Sequence, residues 1–249
     1  MRSIRETVPD AALELCDLDL ADASTIAALG AELRADGAPI DLFVMNAGII
    51  LLGDRDRHES VDGHELHLQT NFLGHAALTR ELLPLLIAGR ARVAVELSLA
   101  AARGRLDDLE CERRYSAWRG YAGSKRAFGL WGVELQRRST AEGWGLGVNL
   151  CHPGVAPDTG IASDLRGRMR GGGESGGSAK LARRLGGTPA QAAEPALMAL
   201  VADAAPGSLF APGGRFGLSG APRERRLFRS LRDPAEARRM WEFAQGSLR

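Results

Sequence analysis

From Ala11 to Leu20 the chain reads AALELCDLDL, an alternation of apolar and polar residues close enough to predict a strand. It runs into ADASTIAALGAELRADG, where the spacing of Ile26, Leu29 and Leu33 is helical and Gly37 supplies a C-cap. PIDLFVMNAGII then reads as a buried strand that ends in Asn-Ala-Gly. After a polar loop rich in Asp, Arg and His comes LHLQTNFLGHAALTRELLPLLIAG, a long helix stopped by Gly89. It is apolar on more than one face, so it should pack on a sheet and on a second element. ARVAVELS is the next strand, YAGSKRAFGLWGVELQRRSTAEG the next helix, closed by Gly143, and LGVNLCHPG the strand after that. A Gly- and Arg-rich connection, Arg166 to Gly177, is expected to be mobile. The helix TPAQAAEPALMALVAD follows, with Thr188 capping and Pro189 at its first position. A short strand near GSLFAP and a polar tail helix, DPAEARRMWEFAQGSL, complete the pattern. Strands alternating with helices predict an α/β fold with a parallel, doubly wound sheet.

Composition narrows the class. The 249 residues, 45% hydrophobic and 25% charged, suffice for one sizeable core, and we expect a single domain over 1–249. Lys plus Arg (32) nearly balance Asp plus Glu (31), so nothing in the net charge of +1 points to nucleic acid or an anionic membrane surface. Small molecules remain the natural ligands. Cys16, Cys111 and Cys151 are scattered beside apolar runs and are expected to be reduced core or near-core thiols. No stretch approaches the roughly 18 apolar residues of a membrane span, and MRSIRETVPD lacks the apolar stretch of a signal peptide; a cytoplasmic location is the expectation.

In such sheets ligands bind beyond the carboxyl ends of the strands. Several chemistry-bearing residues fall there: Asn46 and Gly48 end one strand, Ser98 another and Pro153-Gly154 a third, while Tyr121 and Lys125 start the helix between the last two. Tyr121 and Lys125 share a helix face, as any i, i+4 pair does, so their spacing alone decides nothing. The whole set is more specific. Asn46-Ala47-Gly48, Asn71 in LQTNFLGH, Ser98, Tyr121-x-x-x-Lys125 and Pro153-Gly154 together resemble a short-chain dehydrogenase/reductase. The long interval between Ser98 and Tyr121 and the tail ARRMWEFAQGSL resemble the retinol-dehydrogenase-like and protochlorophyllide-reductase-like branch. The resemblance implies a Rossmann-like sheet, NADP or NAD as cofactor, and oxidation or reduction of a small alcohol or carbonyl compound. It implies Tyr121 as general acid or base, Lys125 as its charge partner and ribose contact, Ser98 as holder of the substrate oxygen and Asn71 as proton relay. Cofactor contacts are implied for Asp19, Leu20, Asn46, Ala47, Gly48, Tyr121, Lys125, Pro153, Gly154 and Val155. A homodimer or homotetramer is implied through the helices that carry Asn71 and Tyr121, and the segment 158–184 is implied to shape the substrate pocket.

The family pattern opens with a strand, a TGxxxGxG turn, a helix and a second strand, and this sequence contains none of them. GGGESGGSAK lacks the Gly directly before Lys180 that a phosphate loop needs, and neither GAPIDLF nor APGGRFGLSG sits between a strand and a helix in the required order. The expectation is therefore an N-terminally truncated sheet. Either the source sequence is cut short or the protein works without the unit. The strand at Leu42 should then have an exposed apolar edge. Glu96 and Leu97 stand where the family has a small apolar residue and a second serine, and Asp158 precedes Thr159 where it often has threonine.

HESVDGHELH offers His58, His64 and His67 with Glu59 and Glu65, but it is not HExxH, and we read it as a solvated loop with no metal. Two other functions stay open: proton transfer without a cofactor, using Tyr121, Ser98 and Glu96, and a non-catalytic oligomeric scaffold.

Overall fold

The structure is a computed structural model that describes residues 2–51, 53–155, 187–214 and 217–248. Five strands, β1 (Leu42–Met45), β2 (Arg92–Glu96), β3 (Gly147–Cys151), β4 (Leu209–Pro212) and β5 (Pro222–Arg225), form one sheet in the order β1-β2-β3-β4-β5. The first four are parallel and β5 returns antiparallel to β4. The helices are α1 (Arg2–Thr7), α2 (Ala23–Asp36), α3 (Leu66–Leu68), α4 (Gly74–Gly89), α5 (Ala117–Glu142), α6 (Pro189–Val201) and α7 (Pro234–Ser247). A π-helical turn, Gln69–Leu73, joins α3 to α4.

Local chemistry explains most boundaries. Asp22 accepts from the Ser24 amide to start α2, and Gly37, at φ 75°, ends it in the left-handed region. α5 begins at Ala117, one turn before the expected Tyr121, because Ser116 accepts from the Arg119 amide and caps it. Thr188 and Gln191 form a reciprocal capping box at α6. Gly89 plays a different part from the expected stop: the helix runs through it, and Arg90 takes the left-handed position. A Cβ on Gly89 would lie 2.1 Å from the Ile40 carbonyl oxygen, so the glycine permits close packing.

Alternating strand faces divide the interior in two. Met45, Val93, Val95, Val148, Leu150 and Leu209 turn toward α2, α4, α5 and α7. There Trp131, Phe72 and Phe128 are fully buried. Trp131 stacks on Phe128 at 6.0 Å and on Trp241 of α7 at 5.9 Å. The opposite face is thinner: α6 covers Ala94, Cys151 and Phe210 through Ala196, Ala199 and Leu200. Asn149 ties α6 to the sheet by donating to the Ala199 carbonyl at 2.8 Å and accepting from the Gly207 and Ser208 amides.

Two expectations are corrected. Ala11–Leu20 is not a strand; it has no sheet partner among the described residues, and its apolar side chains Leu15 and Leu18 are 76% and 40% exposed. An alternating pattern can only be realised against a neighbouring edge, and here only Leu20 is buried. Cys16 is likewise exposed, whereas Cys111 and Cys151 are buried, and all three are free. The expected Arg166–Gly177 connection lies outside the described residues. No helix among the described residues is long and apolar enough to cross a membrane.

β1 pairs only with β2 among the described residues, and Leu42 and Val44 on its uncovered face are 55% and 43% exposed. An apolar edge of this kind promotes self-association. Val44→Lys should shift sedimentation-velocity profiles at high protein concentration toward the smallest species; profiles identical to the parent's would show that this edge does not associate.

Candidate active site

β1, β2 and β3 end at one edge of the sheet, and the chain leaving each carries a residue of the expected set. Beyond β2, Ser98 adopts extended backbone and caps the turn Leu99–Ala102 by accepting from the Ala100 amide at 3.2 Å. Its side chain lies close enough to the Tyr121 phenol to lower that group's pKa. Tyr121 is 9% exposed and sits with Ala100 and Ala122, with Ile50 packed against it. One turn along α5, Lys125 is buried, and its Nζ donates to the Glu96 carbonyl at 2.9 Å.

Asn71 stands in the π turn and is fully buried. Its Oδ1 accepts from the Ile49 amide at 2.7 Å, while Nδ2 donates to the Ile49 carbonyl at 3.0 Å and to Ser124 Oγ at 3.1 Å. Ser124 in turn donates to the Tyr121 carbonyl at 2.9 Å. Gly48 fits tightly in between: a Cβ there would lie 2.8 Å from Asn71 Oδ1 and 3.3 Å from Lys125 Nζ. Asn46 and Ala47 are exposed at the same edge. Gly154, at φ 78°, could not carry a side chain, since a Cβ would meet the Leu218 carbonyl oxygen at 2.3 Å. Val155 accepts from the Gly187 amide and donates to the Leu218 carbonyl. Asp19 lies apart from this group, exposed, its carboxylate accepting from the Ala21 amide at 2.8 Å. Leu20 is buried, and its carbonyl accepts from Gln69 Nε2.

The short chain dehydrogenase family matches residues 2–169, well over half of the chain. The chain belongs to that family. Polyprenol dehydrogenase of Mus musculus is 38% identical over 160 residues, covering 61% of this chain and 47% of that protein. Retinol dehydrogenase 12 of Homo sapiens is 36% identical over 141 residues, covering 55% and 43%. Membership therefore extends to a retinol-dehydrogenase-like branch, although the chain spans about half the length of these curated relatives. A crystal structure of an uncharacterized protein from Mycobacterium Paratuberculosis superimposes with a TM-score of 0.70 at 30% identity, covering 99% of this chain and 80% of that one.

The electrostatics of Tyr121 and Lys125 are set mainly by burial. Burial raises the Tyr121 phenol above its ordinary value; the Ser98 side chain opposes this and the Glu96 carboxylate adds to it. The Lys125 ammonium donates to the Glu96 carbonyl, and the causes that set the phenol's pKa are burial, Ser98 and Glu96. Burial pushes Lys125 down to about 8, with Glu96 and Cys151 partly opposing. Glu96 itself is raised by burial, accepts from the Cys151 thiol at 3.2 Å, and keeps Oε1 enclosed without a partner among the described residues. The Cys151 thiol is pushed well up by burial and by Glu96, so it is no nucleophile.

The reading of HESVDGHELH as solvated is corrected for two of its members. Glu65 and His67 are fully buried, with Glu65 Oε1 2.7 Å from His67 Nδ1 and Glu65 Oε2 capping the Leu68 amide. No group of residues suited to a metal ion occurs among the described residues. Asp158 and Thr159 lie outside the described residues, as does nearly all of the segment 158–184. The sequence reading placed His67 in a solvated loop and did not single out His75 or Ser124. The signal was present, since His67, Asn71 and His75 recur every four residues.

Lys125 gives a pH dependence whose direction follows from its shift. The folded group loses its proton near 8 and an unperturbed lysine at 10.5, so in between the unfolded chain binds more protons and stability rises with pH. Tyr121, raised above 10.0, works in the opposite sense only at higher pH. Urea midpoints of the parent should therefore gain on those of Lys125→Met between about pH 8 and 10. Parallel profiles over that window would contradict the buried, depressed lysine.

Proposed function

We propose that this chain carries the catalytic half of a nicotinamide-dependent alcohol or carbonyl oxidoreductase. The observation that carries the reading is the Ser98 side chain beside the Tyr121 phenol, one helical turn from a buried lysine at the carboxyl edge of the sheet. Ser98 would hold the substrate oxygen, and Tyr121 would give or take the proton at that atom. Asn71, through Ser124, fixes the turn of α5 that carries Tyr121, which supports a positioning role beside the relay role that the family implies.

NAD or NADP, when bound, would supply or accept the hydride. The glycine at position 48 leaves open a cradle beside Lys125 Nζ that a Cβ would fill, and Asn46, Ala47 and Pro153–Val155 line the same edge. These residues, with Tyr121 and Lys125, would hold the nicotinamide and its ribose, while Asp19 and Leu20 would meet the adenine. Lys125 would have to leave the Glu96 carbonyl to serve the phenol, a rearrangement made easier by an ammonium that is already costly to keep buried. The Gly-rich pyrophosphate turn of the family is absent from this sequence. Relatives named as polyprenol and retinol dehydrogenases favour an apolar alcohol or its carbonyl counterpart as substrate.

Glu96 supports a second reading. A buried carboxyl with a raised pKa, close enough to perturb both Tyr121 and Lys125, is suited to proton transfer without hydride.

Tyr121→Phe should lower turnover of an alcohol or aldehyde with NADP(H) or NAD(H) by at least about a hundredfold, a larger loss than any change in nucleotide affinity from its contact to the nicotinamide ribose. Nucleotide titration and steady-state rates on the same samples make the test. Failure of the parent to bind any nicotinamide nucleotide would remove the redox reading, and Tyr121-dependent activity in its absence would favour proton transfer.

A further inference from the structure

His67, Asn71 and His75 stand four residues apart on the segment that runs from α3 through the π turn into α4, and each holds a different residue of one loop. His75 Nε2 lies 2.9 Å from the Ala47 carbonyl, Asn71 binds both the amide and the carbonyl of Ile49, and the Leu51 amide donates to His67 Nε2 at 3.0 Å. Four helical residues rise about 6 Å and two residues of extended chain about 6.6 Å, so contacts at every fourth helical position can meet every second loop position. The loop thus has its polar groups met by a row of side chains in place of a neighbouring strand.

The two imidazoles must do this in opposite forms. Glu65 Oε1, 2.7 Å from His67 Nδ1, draws that ring's proton to Nδ1 and leaves Nε2 free to accept from Leu51. The Ala47 carbonyl can only accept, so His75 carries its proton on Nε2. His75 Nδ1 is enclosed with no partner among the described residues, the ring stacks on Phe128 at 5.0 Å, and burial pushes its pKa down to about 4. Gly120 has no side chain at a point where a Cβ would come within 3.0 Å of Glu65 Oε1 and 3.1 Å of His67 Nδ1, so α5 presses directly on the Glu65–His67 pair. Ala47, Gly48 and Ile50 all belong to the clamped loop, and Ile50 packs against Tyr121.

We propose that His67 and His75 are positioning residues, one an acceptor and the other a donor, that clamp the Ala47–Leu51 loop and so fix the wall beside Tyr121 and Lys125. The clamp matters for catalysis only if the dehydrogenase reading holds, but its bonds belong to the chain alone. They can therefore be tested without nucleotide or substrate.

The experiment uses the full chain with nitrogen-15-labelled histidine, near neutral pH, together with amide hydrogen exchange. His67 should report a proton on Nδ1 and His75 a proton on Nε2. His67→Phe should speed exchange of the Leu51 amide about tenfold, the loss of one hydrogen bond, and His75→Phe, which frees the Ala47 carbonyl and no amide, should speed exchange of the neighbouring Ile49 amide by loosening the loop that Asn71 still holds. His67→Gln and His75→Gln should return exchange toward the parent's, because the glutamine amide reaches the position of Nε2. The same tautomer on both rings, unchanged exchange in the Phe variants, or Gln variants no better protected than Phe would each overturn the clamp. Should a Phe variant fail to fold, the tautomers and the Gln variants still decide the outcome. A parent chain that shows the clamp yet binds no NADP(H) or NAD(H) would leave it standing and remove the dehydrogenase reading, so the two failures are distinguishable.

Discussion

A fully enclosed amide must find hydrogen-bond partners inside the protein, and Asn71 meets that requirement by joining three elements at once. Its side chain binds both polar groups of Ile49 on the loop after β1 and reaches Ser124 on α5. The π turn Gln69–Leu73 is what aims it there, since a widened turn redirects one side chain without ending the helix. From this junction follow the tight seat of Gly48, the placement of Ile50 against Tyr121, and the anchoring of the Tyr121 carbonyl through Ser124. Because an unmet buried polar group costs about 1–3 kcal/mol, the junction is hard to rearrange by halves.

Around that fixed frame the charged groups are poised differently. Lys125 and Glu96 are both buried beside the Cys151 thiol, and burial drives each toward its neutral form. The lysine donates to a backbone carbonyl, while burial raises the phenol of Tyr121 above its ordinary value. Under the proposed function, activating the tyrosine would require the lysine's charge to move closer. The rigid part of the site therefore sets geometry, and the lysine's choice of partner sets proton affinity.

The placement of much of the candidate set was legible because it depends on strand ends, which apolar runs mark well: Ser98 after VAVEL, Asn46 after LFVM and Pro153-Gly154 after NLCH all fall where the pattern puts them. Caps at Thr188, Gly37 and Gly143 were readable for the same local reason. Ala11–Leu20 failed because alternation describes one strand and says nothing of whether an edge is available to pair with it. β5 went unseen since Pro222–Arg225 is mostly exposed and carries no apolar alternation; its pairing with β4 supplies the order. Glu65 and His67 were misread as solvated because a polar pair can be buried cheaply when its members satisfy each other, a fact of three dimensions that composition does not carry.

The central claim is that Tyr121 sits beside Ser98 with its phenol raised by burial while the Lys125 ammonium is held at the Glu96 carbonyl. Carbon-13 tyrosine NMR on the Tyr115→Phe chain, titrated with no nucleotide present, measures this directly. A Tyr121 phenol that ionises above its ordinary value of 10.0 is the predicted result. A phenol that ionises below that value would contradict it, because Lys125 would then already be acting on the tyrosine.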